Sequence, residues 1–154
     1  MTFDERLRIG ETVTLGTHTF AADEIKAFAK KFDPQPFHTD EEAARNSVFG
    51  SLCASGWHTC ATWMKYNLLQ QEKERRNGLW TADWPVFGPS PGFENLKWLR
   101  PVYADETITF TRKAVSHRPL ASRPGWRLLT LEGEAYNEDG TKVLSFENVV
   151  LVQE

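Results

Sequence analysis

The clearest pattern of apolar and polar positions runs from Glu106 to Val115. Ile108, Phe110 and Ala114 fall on one face of it, and Thr107, Thr109 and Thr111 on the other. Alternation of period two predicts a strand with one face buried. Thr12–Phe20, Phe93–Trp98, Trp126–Tyr136 and Val143–Val152 read as further strands, and Asn137-Glu138-Asp139-Gly140 as the hairpin turn joining the last two. Elsewhere the period changes. Ile25, Phe28, Ala29 and Phe32 recur at helical spacing, which predicts a helix with those four residues on its buried face. It opens at Ala22, where Asp23 and Glu24 suit its positive end, and stops before Pro34. Asp40 can cap a short second helix through Glu41–Ala44. The most apolar helical stretch is about Ala54–Leu69. Trp57, Ala61, Met64 and Leu68 form one stripe, widened by Cys60, Trp63 and Leu69, which predicts a helix central to the core. Residues 3–11 read as a loose lead-in, and 72–92 as a long irregular connection. The run Gln71–Arg76 has mixed charge and reads as a solvated helix end. One strand, helices, then four strands predict an α+β fold, an antiparallel sheet with a long helix on one face, in a single domain over residues 1–154.

Composition narrows the class. The chain has 154 residues, 40% of them apolar, enough for one packed core. A net charge of −3 without a basic patch argues against nucleic acid as a partner. No apolar run has the roughly 20 residues that a membrane-spanning helix needs. The acidic start Met1-Thr2-Phe3-Asp4-Glu5 lacks the order of a signal peptide, and two cysteines suit a reducing compartment, so the expected location is the cytoplasm. Cys53 and Cys60 are seven apart and no His or Cys pair has metal-ligand spacing, so no metal is expected. No phosphate loop or dinucleotide turn is present, so no cofactor is implied. Ser55 lacks the setting of a hydrolase nucleophile.

One segment can carry chemistry. In Phe32-Asp33-Pro34-Gln35-Pro36-Phe37-His38-Thr39-Asp40 a carboxylate and an imidazole stand five positions apart, with two prolines stiffening the chain between them. Near about pKa 3.9 and 6.5 before perturbation, they make a workable acid–base pair. The segment is similar to a family pattern Asp-x-Asn-Pro-Leu-His-x-Asp, here Asp33 to Asp40. Ala54-Ser55-Gly56-Trp57 resembles the small-residue entry to that family's central helix, often His-Gly. Leu99-Arg100-Pro101-Val102-Tyr103-Ala104-Asp105-Glu106 resembles its Arg-Pro-Val step before an acidic turn. Three such matches in order identify a resemblance to the MaoC-like dehydratases, the family of the R-specific enoyl-CoA hydratases, and cover nearly the whole chain. Departures are Phe32 for a usual Gly, Gln35 for Asn, Phe37 for Leu and Ser55 for His; they bear on the substrate more than on the chemistry.

The resemblance implies a hotdog fold, an antiparallel sheet wrapped around a long helix. It implies reversible addition of water to a 2-enoyl thioester of coenzyme A or an acyl carrier, as in fatty acid metabolism, by Asp33 and His38, in a homodimer. The amide of Gly56, at a helix start and with no side chain, is the expected donor to the thioester oxygen, with Ser55 beside it. Trp80 and Trp84, in the long connection, are expected to wall the acyl pocket. Two other readings stand beside this one: a hotdog thioesterase, and a non-catalytic acyl-thioester-binding partner subunit.

Overall fold

The computed structural model describes residues 1–79 and 84–154. Five helices precede most of the sheet: α1 (Phe3–Leu7), α2 (Ala22–Phe32), α3 (Pro36–Thr39), α4 (Glu41–Arg45) and α5 (Gly56–Arg76). The strands are β1 (Thr12–Thr19), β2 (Val86–Phe87), β3 (Gly92–Trp98), β4 (Thr107–Pro119), β5 (Trp126–Tyr136) and β6 (Lys142–Gln153). Every pairing is antiparallel, in the order β1-β4-β5-β6, with β2 and β3 both pairing with β6. The sheet curls around α5.

The alternation in β4 does what it predicts. Ile108, Phe110 and Ala114 are buried, and they share the core face with Leu129, Leu131 and Ala135 of β5 and Val143 of β6. The β5–β6 hairpin turns where expected: Gly140 N–H donates to Asn137 O, and Asn137 Oδ1 accepts from Asp139 and Thr141. Gly16 lies at a bulge in β1 with φ 150°, and a Cβ there would come within 2.6 Å of the Tyr66 ring. Glycine thus lets the middle of α5 settle onto β1.

Four expectations change. Residues 3–7 form α1, because Thr2 and Glu5 make a reciprocal capping box. Phe32 is 63% exposed, since α2 ends there and turns its last residue off the buried face set by Ile25 and Ala29. α5 runs on to Arg76, so the charged run is a helix end as expected but is not all solvated: Glu74 within it is buried, paired with Arg8 and Arg112. The irregular connection is correspondingly shorter and is interrupted by β2.

The fourth change is the largest. α5 buries His58, Thr59, Thr62, Trp63, Asn67 and Glu74, while Trp57, Ala61, Met64, Leu68 and Leu69 are exposed. The inward polar groups have partners: Thr62 Oγ1 donates to His58 O, Trp63 Nε1 to Thr111 O, and Arg112 to Asn67 Oδ1. Satisfied polar groups lose most of their burial penalty, so apolar content alone does not decide which way the helix faces.

Candidate active site

The site forms where the end of α2, the single turn α3 and the start of α5 meet. α2 stops at Phe32 because Pro34 follows; Asp33 leaves it with φ −154° and ψ 67°, outside helical values. Pro36 then opens α3 at its first position, where a missing N–H does no harm. This turn faces His38 back toward Asp33, and Asp40 caps α4 by accepting from Ala43 N–H at 3.1 Å.

His38 is buried and Asp33 partly buried, with His38 Nε2 3.6 Å from Asp33 Oδ2. His38 Nδ1 lies 2.6 Å from the Cys53 carbonyl, which can only accept, so Nδ1 carries a hydrogen. In the neutral imidazole, Nε2 is then the lone-pair nitrogen, and it is the one facing the carboxylate. Asp33 is held from both sides: Ser55 Oγ donates to Oδ2 at 2.7 Å and Gln35 Nε2 to Oδ1 at 2.7 Å. Burial pulls the Asp33 carboxyl upward. The Ser55 and Gln35 bonds and nearby His38 together outweigh it and keep the group below the ordinary carboxylate value.

Beside the pair opens a cavity of about 410 Å³, lined by Asp33, His38, Phe49, Gly56, Trp57, Trp98 and Arg100 among others. This is within the range of small-ligand sites. Gly56 is the first residue of α5. The next three amides are occupied: Trp57 N–H donates to Ser55 Oγ, and His58 and Thr59 N–H donate to Ser55 O. Gly56 N–H has no acceptor among the described residues. The space that a Cβ would take at Gly56 holds the Trp98 indole, 2.4 Å away. The missing side chain therefore lets a tryptophan close over the helix start. Cys53 is buried, which pushes its thiol up to about 11 and leaves it unreactive near neutral pH.

Asp33, His38 and Gly56 thus come together at one cavity. Ser55 is fully buried and commits its hydroxyl to Asp33 and the helix cap. Trp84 is elsewhere: it lines a second cavity along the later half of α5. Trp80 lies outside the described residues. Sequence reasoning missed Trp98 and the Cys53 carbonyl. The first sits one residue before the Leu-Arg-Pro-Val stretch, a weak signal; the second is backbone and has none. Among the described residues no group of His, Cys, Asp and Glu is arranged to hold a metal ion, and no helix is long and apolar enough to cross a membrane.

Residues 4–123 match the MaoC like domain. The chain belongs to the MaoC-like family. A MaoC-like dehydratase from Rhodospirillum rubrum is 35% identical, with 100% of this chain and 98% of that one covered at a TM-score of 0.78. The Bacillus subtilis (strain 168) protein YdeM is 29% identical over 153 residues, 99% of each chain. The (R)-hydratase from A. caviae involved in PHA biosynthesis is 19% identical; 92% of this chain and 94% of that one align at a TM-score of 0.63, a likeness of fold. The architecture is accordingly the MaoC-like hotdog, with an antiparallel sheet curled around a central helix.

Proposed function

We propose that the Asp33–His38 cavity adds water reversibly to a 2-enoyl thioester. The observation that carries this reading is the 3.6 Å gap between Asp33 Oδ2 and His38 Nε2, with Nδ1 committed to a carbonyl. A carboxylate and a lone-pair nitrogen both accept, so a water in the cavity beside them, in reach of both, would donate one hydrogen to each and present its own lone pairs to C3 of the substrate. As its oxygen bonds C3, one proton passes to Nε2, the more basic of the two acceptors by ordinary values. Asp33 holds the water and offsets the charge of the imidazolium. Electron density moves to the thioester oxygen, which Gly56 N–H meets at the positive end of α5. Nε2–H then returns its proton to C2, and one water has been added. The reverse sequence dehydrates a 3-hydroxyacyl thioester.

The working unit in this reading is a homodimer. The exposed apolar residues of α5 and the edge strand β3, with Phe93 and Trp98 exposed, supply a face for a second copy.

The test is loss of the conjugated double bond in a panel of 2-enoyl-CoA thioesters, with wild type beside Asp33→Asn and His38→Ala. Positioned acid–base groups contribute about 10²–10⁴-fold. Each folded variant is expected to lose at least about a hundredfold in kcat/KM. Hydration that survives both substitutions, or release of free thiol in its place, overturns the proposal.

A further inference from the structure

The second cavity holds about 230 Å³. At about 30 Å³ per water this is far more than a single-water void. Most of its wall is apolar, including Leu7, Met64, Leu129, Leu131, Val150 and Trp84. One side is not. Arg112, Asn67 and Glu74 line it there, and the last two are 6% and 5% exposed. Arg112 Nη1 donates to Asn67 Oδ1 at 2.6 Å. Its contact with Glu74 is loose, 3.5 Å from Nη2 to Oε1, and Arg8 Nη1 and Gln70 Nε2 reach the same oxygen at 3.4 Å each. Arg8 spends its better bonds on Glu11, at 2.5 and 2.8 Å.

A guanidinium has five donors in a fixed fork, and its preferred carboxylate partner sits at about 2.7–2.9 Å on two of them. Among the described residues Arg112 has no such partner: three donors crowd one oxygen of Glu74 at long range. An incoming carboxylate would supply the missing fork while its chain replaced water along the apolar wall. An ammonium would meet three arginines, Arg6, Arg8 and Arg112, against two carboxylates, Glu11 and Glu74. A small inorganic anion would leave most of the wall unused.

We propose that this cavity binds an aliphatic chain ending in a carboxylate, with the carboxylate on Arg112 and the chain against Leu129, Leu131 and Val150. The cavity shares no lining residue with the Asp33–His38 cavity. Met64 and Asn67 stand eight and eleven residues beyond Gly56 on α5, which is about 12–16 Å along a helix. The carboxylate has two possible sources: a free fatty acid, or the far end of a dicarboxylic acyl thioester whose reacting end lies at Gly56. The second source rests on the hydratase reading; the binding itself does not.

Calorimetric titration with octanoate, octanol and octylamine tests the inference. Saturable one-to-one binding of octanoate is expected, with the alcohol and the amine at least about tenfold weaker. Arg112→Gln should weaken octanoate at least about tenfold. Val150→Phe, which fills the cavity and leaves Arg112, Asn67 and Glu74 in place, should do the same with a cooperative melt retained. No heat with octanoate, equal binding of octanol, or unchanged affinity in Val150→Phe overturns the proposal. Kinetics separate the sources. Octanoate that competes with a 2-enoyl-CoA bearing a terminal carboxylate, itself preferred over the plain chain, assigns the cavity to the substrate's far end. Octanoate that binds without altering hydration assigns it to a separate ligand. Should no thioester be hydrated, the hydratase reading fails while the titration still decides the binding.

Discussion

Asp33 is kept ionised by its neighbours and not by exposure. Its carboxylate accepts from Ser55 and Gln35, and these bonds with His38 overcome the effect of burial. Ser55→Ala removes one of them. The Asp33 pKa should rise, which a carbon-13 NMR titration of its side-chain carboxyl reads directly. The same change removes a helix cap, so stability should fall by about 1 kcal/mol. Denaturant melts and the carboxyl titration measure the two effects separately; an Asp33 midpoint that does not move would show that Ser55 only caps the helix. That Asp33 and His38 share a cavity was legible from their spacing and the prolines between them, and Gly56 joined them through its place at a helix start. The purpose of Ser55 was not. Its bond to Asp33 joins residues 22 positions apart, and no local periodicity encodes a contact of that kind.

At the scale of elements, the start of α5 is tied to α2 and β1 through one carboxylate. Glu24 Oε1 lies 2.7 Å from His18 Nε2 and 3.2 Å from His58 Nε2, and Tyr66 OH meets His18 Nδ1 at 2.9 Å. His58 stacks on Phe28, and its Nδ1 is buried with no partner among the described residues. A neutral ring leaves only a lone pair there, whereas a charged one would bury an unsatisfied donor. Burial lowers the His58 pKa, opposed by Glu24 and assisted by His18. The unfolded chain therefore takes up this proton first. The stabilising contribution is complete above about pH 6.5 and declines as pH falls below that toward the lower folded value. Melting temperature should drop as pH falls below about 6.5, and more gently in His58→Phe; parallel slopes would show that His58 does not contribute. Strand β4 and the β5–β6 hairpin were readable because alternation and turn chemistry are local. The inward face of α5 was misread because His58, Asn67 and Glu74 are buried through partners on other elements.

For the whole molecule, the misread face matters most. A helix wrapped by a sheet still exposes Trp57 at 51% and Leu68 at 55%, beside an edge strand with Phe93 at 53%. A charge on such an edge opposes pairing with another strand. For the proposed homodimer, Phe93→Lys, which lies in neither cavity, should shift the mass in light scattering from two chains to one at micromolar concentration; an unchanged mass of two would place the contact between copies elsewhere, and a wild-type mass of one would overturn the dimer. The α+β architecture was legible from the order of elements and its hotdog form from the family resemblance, whereas the second cavity was not, because it lies between elements far apart in the chain. The Cys53 carbonyl has a consequence of another sort. It orients the His38 imidazole, and it is placed by the run of the backbone: Ala54 N–H donates to Val102 O, Ala104 N–H to Leu52 O, and Cys53 bridges Tyr103. Small residues that fit the pocket of Cys53 keep the oxygen in place, and a designer who reads that as freedom to re-route the segment would undo the His38–Asp33 geometry without altering either side chain.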